Sequence, residues 1–250
     1  MAIELAYWDG RGLMEVPRML LALGERSYTD GRYTTDADKA DGVRAKLYDD
    51  IKDKLGANLG RMPVLRTEGG DVGQSAAINF YLASELGFMG SSALEGAQIV
   101  AIQEHLKEMG TAFRAVIPYG SEPTDELVAQ WFDTGADDVS PTAPADMSKR
   151  KERFAKWFFG RIEGIVGEGG FAVGGKLSLA DVLIYNTFGE VLDAAQAPEG
   201  MPSWKREPFT SKARTDAALS SCPKLAAIVE SVRTNEKVAK YLAERGAQRF

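Results

Sequence analysis

The chain has 250 residues, 44% of them apolar and 26% charged, with a formal net charge of −6. This balance fits a globular protein of one large or two modest domains. It argues against a nucleic-acid or membrane-surface partner, since the basic residues are scattered. One cysteine, Cys222, and one histidine, His105, exclude an intrachain disulfide, a CxxC redox motif and a zinc cluster, and no metal is expected.

Met1-Ala2-Ile3-Glu4 carries no basic, apolar leader, and no stretch approaches the roughly 18 apolar residues of a membrane span, so a cytoplasmic location is expected. Ile3 to Tyr7 reads as a strand. A loop with Gly10 and Gly12 follows. A helix then runs from Met14 to Leu23, with Val16, Met19, Leu20 and Leu23 on one face and Gly24 as its stop. Strand, tight loop and helix N-terminus make a place for an anion, and Tyr7 aims a hydroxyl at it. Ser27 to Tyr33 reads as a second strand. Asp36 to Lys54 reads as one irregular helix with Val43, Leu47 and Ile51 as its apolar stripe. Met62-Pro63-Val64-Leu65 opens a hairpin that turns at Gly69-Gly70, and Pro63 suits a turn with a cis peptide bond. Gln74 to Leu82 is a helix with Ser75 near its start. The order β-α-β-α-β-β-α implies a mixed sheet with helices on both faces.

Gly87 to Ser92 is small and polar, as in a linker. Beyond it only helices are expected: Ala93 to Val116, Glu122 to Phe132, Asp146 to Val166, Leu179 to Ala194, Pro223 to Arg233 and Asn235 to Arg245. Loops are expected over 135–145 and 198–212. The chain therefore divides into an α/β domain over residues 1–87 and an all-α domain over 93–250. Ser178 and Asp181 have the spacing of a capping box, with Leu177 and Val182 as its hydrophobic staple.

Tyr7, Arg11-Gly12, Glu15, Arg18, Met62-Pro63-Val64-Leu65, Gln74-Ser75-Ala76-Ala77-Ile78 and Ser178-Leu179-Ala180-Asp181 together resemble the cytosolic glutathione transferases, of the tyrosine type and nearest the sigma-like branch. The resemblance implies a thioredoxin-like N-terminal domain that binds glutathione, an all-helical C-terminal domain with a pocket for a hydrophobic electrophile, and a homodimer. It implies that Tyr7 stabilises the glutathione thiolate, that Val64 beside Met62 and Pro63 pairs with the cysteinyl unit, and that Gln74 and Ser75 hold the γ-glutamyl carboxylate. Lys54, with Lys52 competing, is expected at the glycyl carboxylate. Leu13 stands where sigma-like members commonly carry an arginine.

The wall of the second-substrate pocket is expected from Trp8 and Leu13 beside Tyr7, from the helix over 107–113, and from a loop holding Trp204 and Phe209. Met109 and Phe113 have the spacing of one helix face, which suits core packing as well as the cleft. Cys222 and His105 read as structural and surface residues. The function expected is conjugation of glutathione to hydrophobic electrophiles, with detoxification as its setting. The alternatives are a glutathione-dependent isomerase or peroxidase, and a non-enzymatic structural or scaffold relative.

Overall fold

The computed structural model describes residues 2–34, 45–134, 153–189 and 208–245. Strand β1 spans Ile3–Trp8. Side chains alternate across a strand, and this strand buries Ile3 and Leu5 in the main core and Ala6 in a second cluster. A 3-10 turn, Gly12–Met14, leads into helix α1, Glu15–Leu23. Strands β2 (Thr29–Thr34), β3 (Ala45–Leu47), β4 (Val64–Thr67) and β5 (Gly70–Gly73) complete one sheet in the order β3-β2-β1-β4-β5. The pairs β1–β2 and β2–β3 are parallel, while β1–β4 and β4–β5 are antiparallel.

Helices α1 and α2 (Ser75–Glu85) cover one face of this sheet. The other face is where the structure departs from expectation. The helix read over 36–54 is not formed in its described part. Ala45–Leu47 pairs with β2 as a strand, and three 3-10 turns follow over Tyr48–Asp50, Lys52–Lys54 and Gly56–Asn58. The apolar spacing is satisfied by successive turns: Ile51 and Leu55 insert into the cluster with Ala6, Tyr33 and Val64, whereas Leu47 stays exposed. Among the described residues, this face is thus covered by short turns rather than by a helix. Val43 lies outside the described residues.

The remaining described elements are helical: α3 (Ala93–Val116), α4 (Asp125–Asp133), α5 (Ala155–Ile165), α6 (Leu179–Ile184) with a π-turn over Tyr185–Gly189, α7 (Lys212–Leu219), α8 (Pro223–Arg233) and α9 (Glu236–Arg245). Helix α4 starts later than its spacing suggests, because Thr124 caps it by accepting from the Leu127 N–H. Helix α7 was not expected. Ser211 caps it, and the Thr215 hydroxyl ties it to the Pro208 carbonyl. The ends read as Asp146 and Ala194 lie outside the described residues, as does the loop over 135–145.

One apolar core runs from Ile3 and Leu5 through α1 and α2 to Val238 of α9, so the two halves share their interior. The expected boundary at 87–93 falls between α2 and α3, where the Leu179 N–H donates to the Phe88 carbonyl. The box at Ser178 and Asp181 forms at the start of α6 and is fully buried. No described helix is long and apolar enough to cross a membrane.

Candidate functional site

The register of the sheet gathers the distant segments singled out above. Ala6 of β1 pairs with Val64 of β4, and Val64 pairs with Gly73 of β5. Continuing the antiparallel register by one residue brings Tyr7, Pro63 and Gln74 abreast at the same end of the sheet. Neighbouring strands lie about 4.8 Å apart, so Tyr7 and Gln74 are separated by roughly 10 Å, about the length of three extended residues. The Met62–Pro63 peptide is cis. The Pro63 carbonyl accepts from the Asn58 side-chain amide at 2.9 Å, which ties the last 3-10 turn to the start of β4. Val64 is the first residue of β4 and its side chain is buried.

Tyr7 is half-buried and packs against the main core. Its hydroxyl accepts from the Leu13 N–H at 3.2 Å. That places the phenol oxygen at the 3-10 turn that feeds α1, whose ends carry no side-chain cap. Gly12 has φ +42°, and a Cβ there would stand 2.5 Å from the Tyr7 hydroxyl oxygen, so the turn closes on the ring only because the residue is glycine. Burial pushes the Tyr7 pKa above its usual value, more than the Leu13 hydrogen bond lowers it. The phenol therefore stays protonated at neutral pH, with an acceptor role filled by Leu13 and its own proton left to donate.

Two layers of buried charge hold the turn. Arg18 is fully buried and donates through Nη1 to the Gly10 carbonyl at 2.8 Å and the Arg11 carbonyl at 3.2 Å. Its Nε and Nη2 donate to Asp30 of β2, which also takes Arg32 Nε at 2.8 Å. Burial works against the Arg18 charge, and Asp30 and Glu15 outweigh it, so the guanidinium pKa is raised. On the other side of Glu15, Tyr241 and Arg245 of α9 reach its Oε1.

Helix α2 starts directly after β5. Gln74 stands at its N-cap with φ 68° and no side-chain capping bond, and Ser75 is the first helical residue. Ser75 does not cap the helix, so its hydroxyl and the first backbone N–H groups face an open N-terminus, the arrangement that attracts a carboxylate. Of the two lysines, Lys52 is paired with Asp49 at 3.1 Å, while Lys54 is exposed and has no ion-pair partner among the described residues.

The expected pocket wall is redrawn. Leu13 is 55% exposed beside Tyr7, as an apolar wall requires. Trp8 points the other way: the strand alternation carries it to the opposite face, where it packs on Tyr48 at 5.1 Å between ring centroids. Trp8 and Leu13 therefore do not share one wall. Met109 and Phe113 are core residues, and Phe113 packs against Trp131 and Phe209. Phe209 fills the interior of the helical half instead of covering a cleft, and Trp204 lies outside the described residues. From the helical half, Tyr119 acts electrostatically on Tyr7, and the Arg114 guanidinium lies 5.4 Å from the Tyr119 ring centre. Neither residue stands out in the sequence: Arg114 sits within α3 off its apolar face, and Tyr119 lies beyond the end of the helix. His105 is exposed on α3. Cys222 is buried, which raises its thiol pKa, and it lines a cavity of about 390 Å³ between α4, α5 and α7, away from Tyr7.

Comparisons with known proteins bear on both halves. Residues 3–84 match the family model described as glutathione S-transferase, N-terminal domain, and residues 136–245 match that described as glutathione S-transferase, C-terminal domain. A glutathione S-transferase P of Caenorhabditis elegans is 26% identical over 95% of this chain and 100% of its own length. A glutathione S-transferase 2 of Gallus gallus is 26% identical over 74% of each chain. The crystal structure of a monomeric glutathione S-transferase from the hookworm Necator americanus superposes with a TM-score of 0.66 at 24% identity, covering 98% of each chain.

Proposed function

Because this chain belongs to the glutathione S-transferase family and is a transferase, we propose that it conjugates the thiolate of glutathione to hydrophobic electrophiles, with Tyr7 as the catalytic residue that stabilises the thiolate. The observation that carries this reading is the Tyr7 hydroxyl, which accepts from the Leu13 N–H at an uncapped helix start and keeps its own proton to donate. The family uses glutathione as its substrate, and Tyr7, Pro63 and Gln74 stand abreast at one end of the sheet, where the tripeptide can lie across them.

In this reading the γ-glutamyl carboxylate meets the open start of α2 at Gln74 and Ser75. The cysteinyl unit lies beside Met62, Pro63 and Val64, and the glycyl carboxylate meets Lys54. The sulfur then sits at Tyr7. A free thiol has a pKa of about 8.5, and bringing it to about 6.5 needs roughly 2.7 kcal/mol. A hydrogen bond to a charged group contributes about 1.5–3 kcal/mol, so one phenol can supply most of the shift. The helix start adds about 0.3–1 kcal/mol. The Leu13 N–H polarises the phenol and makes it a better donor. The thiolate attacks the electrophilic carbon held against Leu13, the leaving group departs with its electron pair, and Tyr7 keeps its proton throughout. The expected site of action is the cytoplasm.

The test is the pH dependence of kcat/KM for conjugation of glutathione to a simple aryl halide. Tyr7→Phe is expected to raise the apparent thiol pKa and to lower the rate at neutral pH at least tenfold, about 1.4 kcal/mol. An unchanged profile removes Tyr7 from the mechanism. Because Tyr7 itself ionises above its usual value of 10.0, the wild-type rate should rise through the thiol pKa and hold level to about pH 10. Glutathione consumption separates conjugation from an isomerase, which regenerates the thiol.

The partner in this reading is a second copy of the chain. Phe80 of α2 and Leu94 and Val100 of α3 are large apolar side chains left exposed, next to the buried hydrogen bond between Asn79 and Gln103 that joins the two helices. Sedimentation at micromolar concentration should give a dimer that Phe80→Glu weakens. A wild-type monomer contradicts the dimer.

A further inference from the structure

The turn that presents Gly12 and Leu13 to Tyr7 is held by Arg18, and Arg18 has two claims on its Nη1. It donates to the carbonyls of Gly10 and Arg11 at 2.8 and 3.2 Å. It also faces Glu15 Oε2 at 3.7 Å, beyond hydrogen-bond length. A fully buried carboxylate and a fully buried guanidinium on one helix would ordinarily close that gap, because their attraction is strong where water is excluded. Here they do not. The other oxygen, Glu15 Oε1, accepts from the Tyr241 hydroxyl at 3.1 Å and pairs with Arg245 Nη1. Arg245 is itself buried, with its side chain 6% exposed. Both partners come from α9, at the far end of the chain.

We infer that Tyr241 and Arg245 are positioning residues for the catalytic turn: by holding Glu15 through Oε1 they keep its other oxygen off Arg18 and Arg18 on the Gly10 and Arg11 carbonyls, and so hold the Leu13 N–H against Tyr7. Without Arg245, Glu15 is left under-compensated and draws Arg18 Nη1 toward itself. The two loop carbonyls then lose their donor, and the 3-10 turn loosens at Gly12 and Leu13. Asp30 holds the remaining Arg18 nitrogens, so the side chain pivots at Nη1 and does not leave its pocket. The charge on Glu15 is therefore the cause of the disturbance, and removing it should cure the disturbance. A simple loss of packing between α1 and α9 would not be cured in this way.

The inference rests on the role given to Tyr7 under Proposed function. Four variants test it: Arg245→Met, Arg245→Lys, the double variant Glu15→Gln with Arg245→Met, and Tyr7→Phe as the reference. Two readouts are taken. One is the apparent thiol pKa from the pH dependence of kcat/KM with glutathione and an aryl halide. The other is the hydrogen-exchange rate of the Leu13 amide. Arg245→Met is expected to raise the apparent pKa by at least half a unit and to speed Leu13 exchange at least tenfold. Arg245→Lys should shift both the same way and by less, which keeps the test open if the methionine variant folds poorly. The double variant should return both readouts toward wild type, although it has lost one more ion pair. Unmoved readouts in both Arg245 variants, or a double variant no nearer to wild type than Arg245→Met, overturn the inference while leaving Tyr7 in place. A Tyr7→Phe enzyme with the wild-type pKa overturns the reading of Tyr7, and the positioning role with it.

Discussion

Position 12 requires glycine for two separate reasons. Its backbone lies at φ +42°, and a Cβ would fall 2.5 Å from the Tyr7 oxygen and 2.8 Å from Cε1 of the same ring. The first reason costs about 1 kcal/mol for an L-residue; the second moves the phenol. Gly12→Ala is therefore expected to reduce kcat/KM at least tenfold while costing little more than about 1 kcal/mol of stability, measured by conjugation kinetics and urea unfolding on the same sample. An unaffected rate would show that Tyr7 keeps its place beside the added methyl and would contradict the requirement for glycine. Leu13 contributes its backbone to Tyr7 and leaves an apolar side chain in solvent, so in the proposed function one residue would both polarise the phenol and face the second substrate.

At the scale of elements, the start of α6 is a buried helix terminus closed by its own side chains. Asp181 accepts from the Ser178 N–H and hydroxyl at 2.7 Å each and from the Ala172 N–H at 2.6 Å. Burial raises its pKa more than these hydrogen bonds lower it. Asp181→Ala leaves two buried N–H groups without an acceptor, and a loss of about 2 kcal/mol or more in urea unfolding is expected; a loss under about 0.5 kcal/mol would contradict the assignment. This box was legible because its spacing is local. So were α3 and α8, whose ends at Ala93, Val116, Pro223 and Arg233 follow from long apolar periodicity and a proline at a helix start. The segment after Ala45 departs from the helix its spacing predicts because short 3-10 turns bury Ile51 and Leu55, four residues apart, as a helix would. Helix α7 escaped notice because its eight residues bury only Thr215 and Leu219. Tyr7, Pro63, Val64, Gln74 and Ser75, the residues of the proposed site, stand in the sequence as short motifs on strand and helix ends. The Glu15 contacts were not, because Tyr241 and Arg245 lie 226 and 230 residues away and no local pattern announces them.

For the whole molecule, the shared core and the link between α1 and α9 couple folding to the site. Burial pushes Tyr28 up to about 12, with Asp30 adding to it, and pushes Tyr241 up further, with Glu15 adding to it. Above pH 10 the unfolded chain loses these protons while the folded chain keeps them. The folded state then binds more protons than the unfolded one, so stability must fall as pH rises, by at most about 1.4 kcal/mol per unit for each tyrosine. Urea unfolding at pH 9 and pH 11 should show this fall, and Tyr241→Phe should reduce it; equal stability at the two values would contradict the buried, protonated state of these tyrosines. The same state at Tyr7 underlies the proposed catalysis, and its most direct test is an ultraviolet titration of the thiol of bound glutathione, wild type against Tyr7→Phe. The account predicts a thiolate that forms about two pH units below free glutathione in the wild type and within about half a unit of it in Tyr7→Phe. A thiolate that forms at the same pH in both proteins would contradict it.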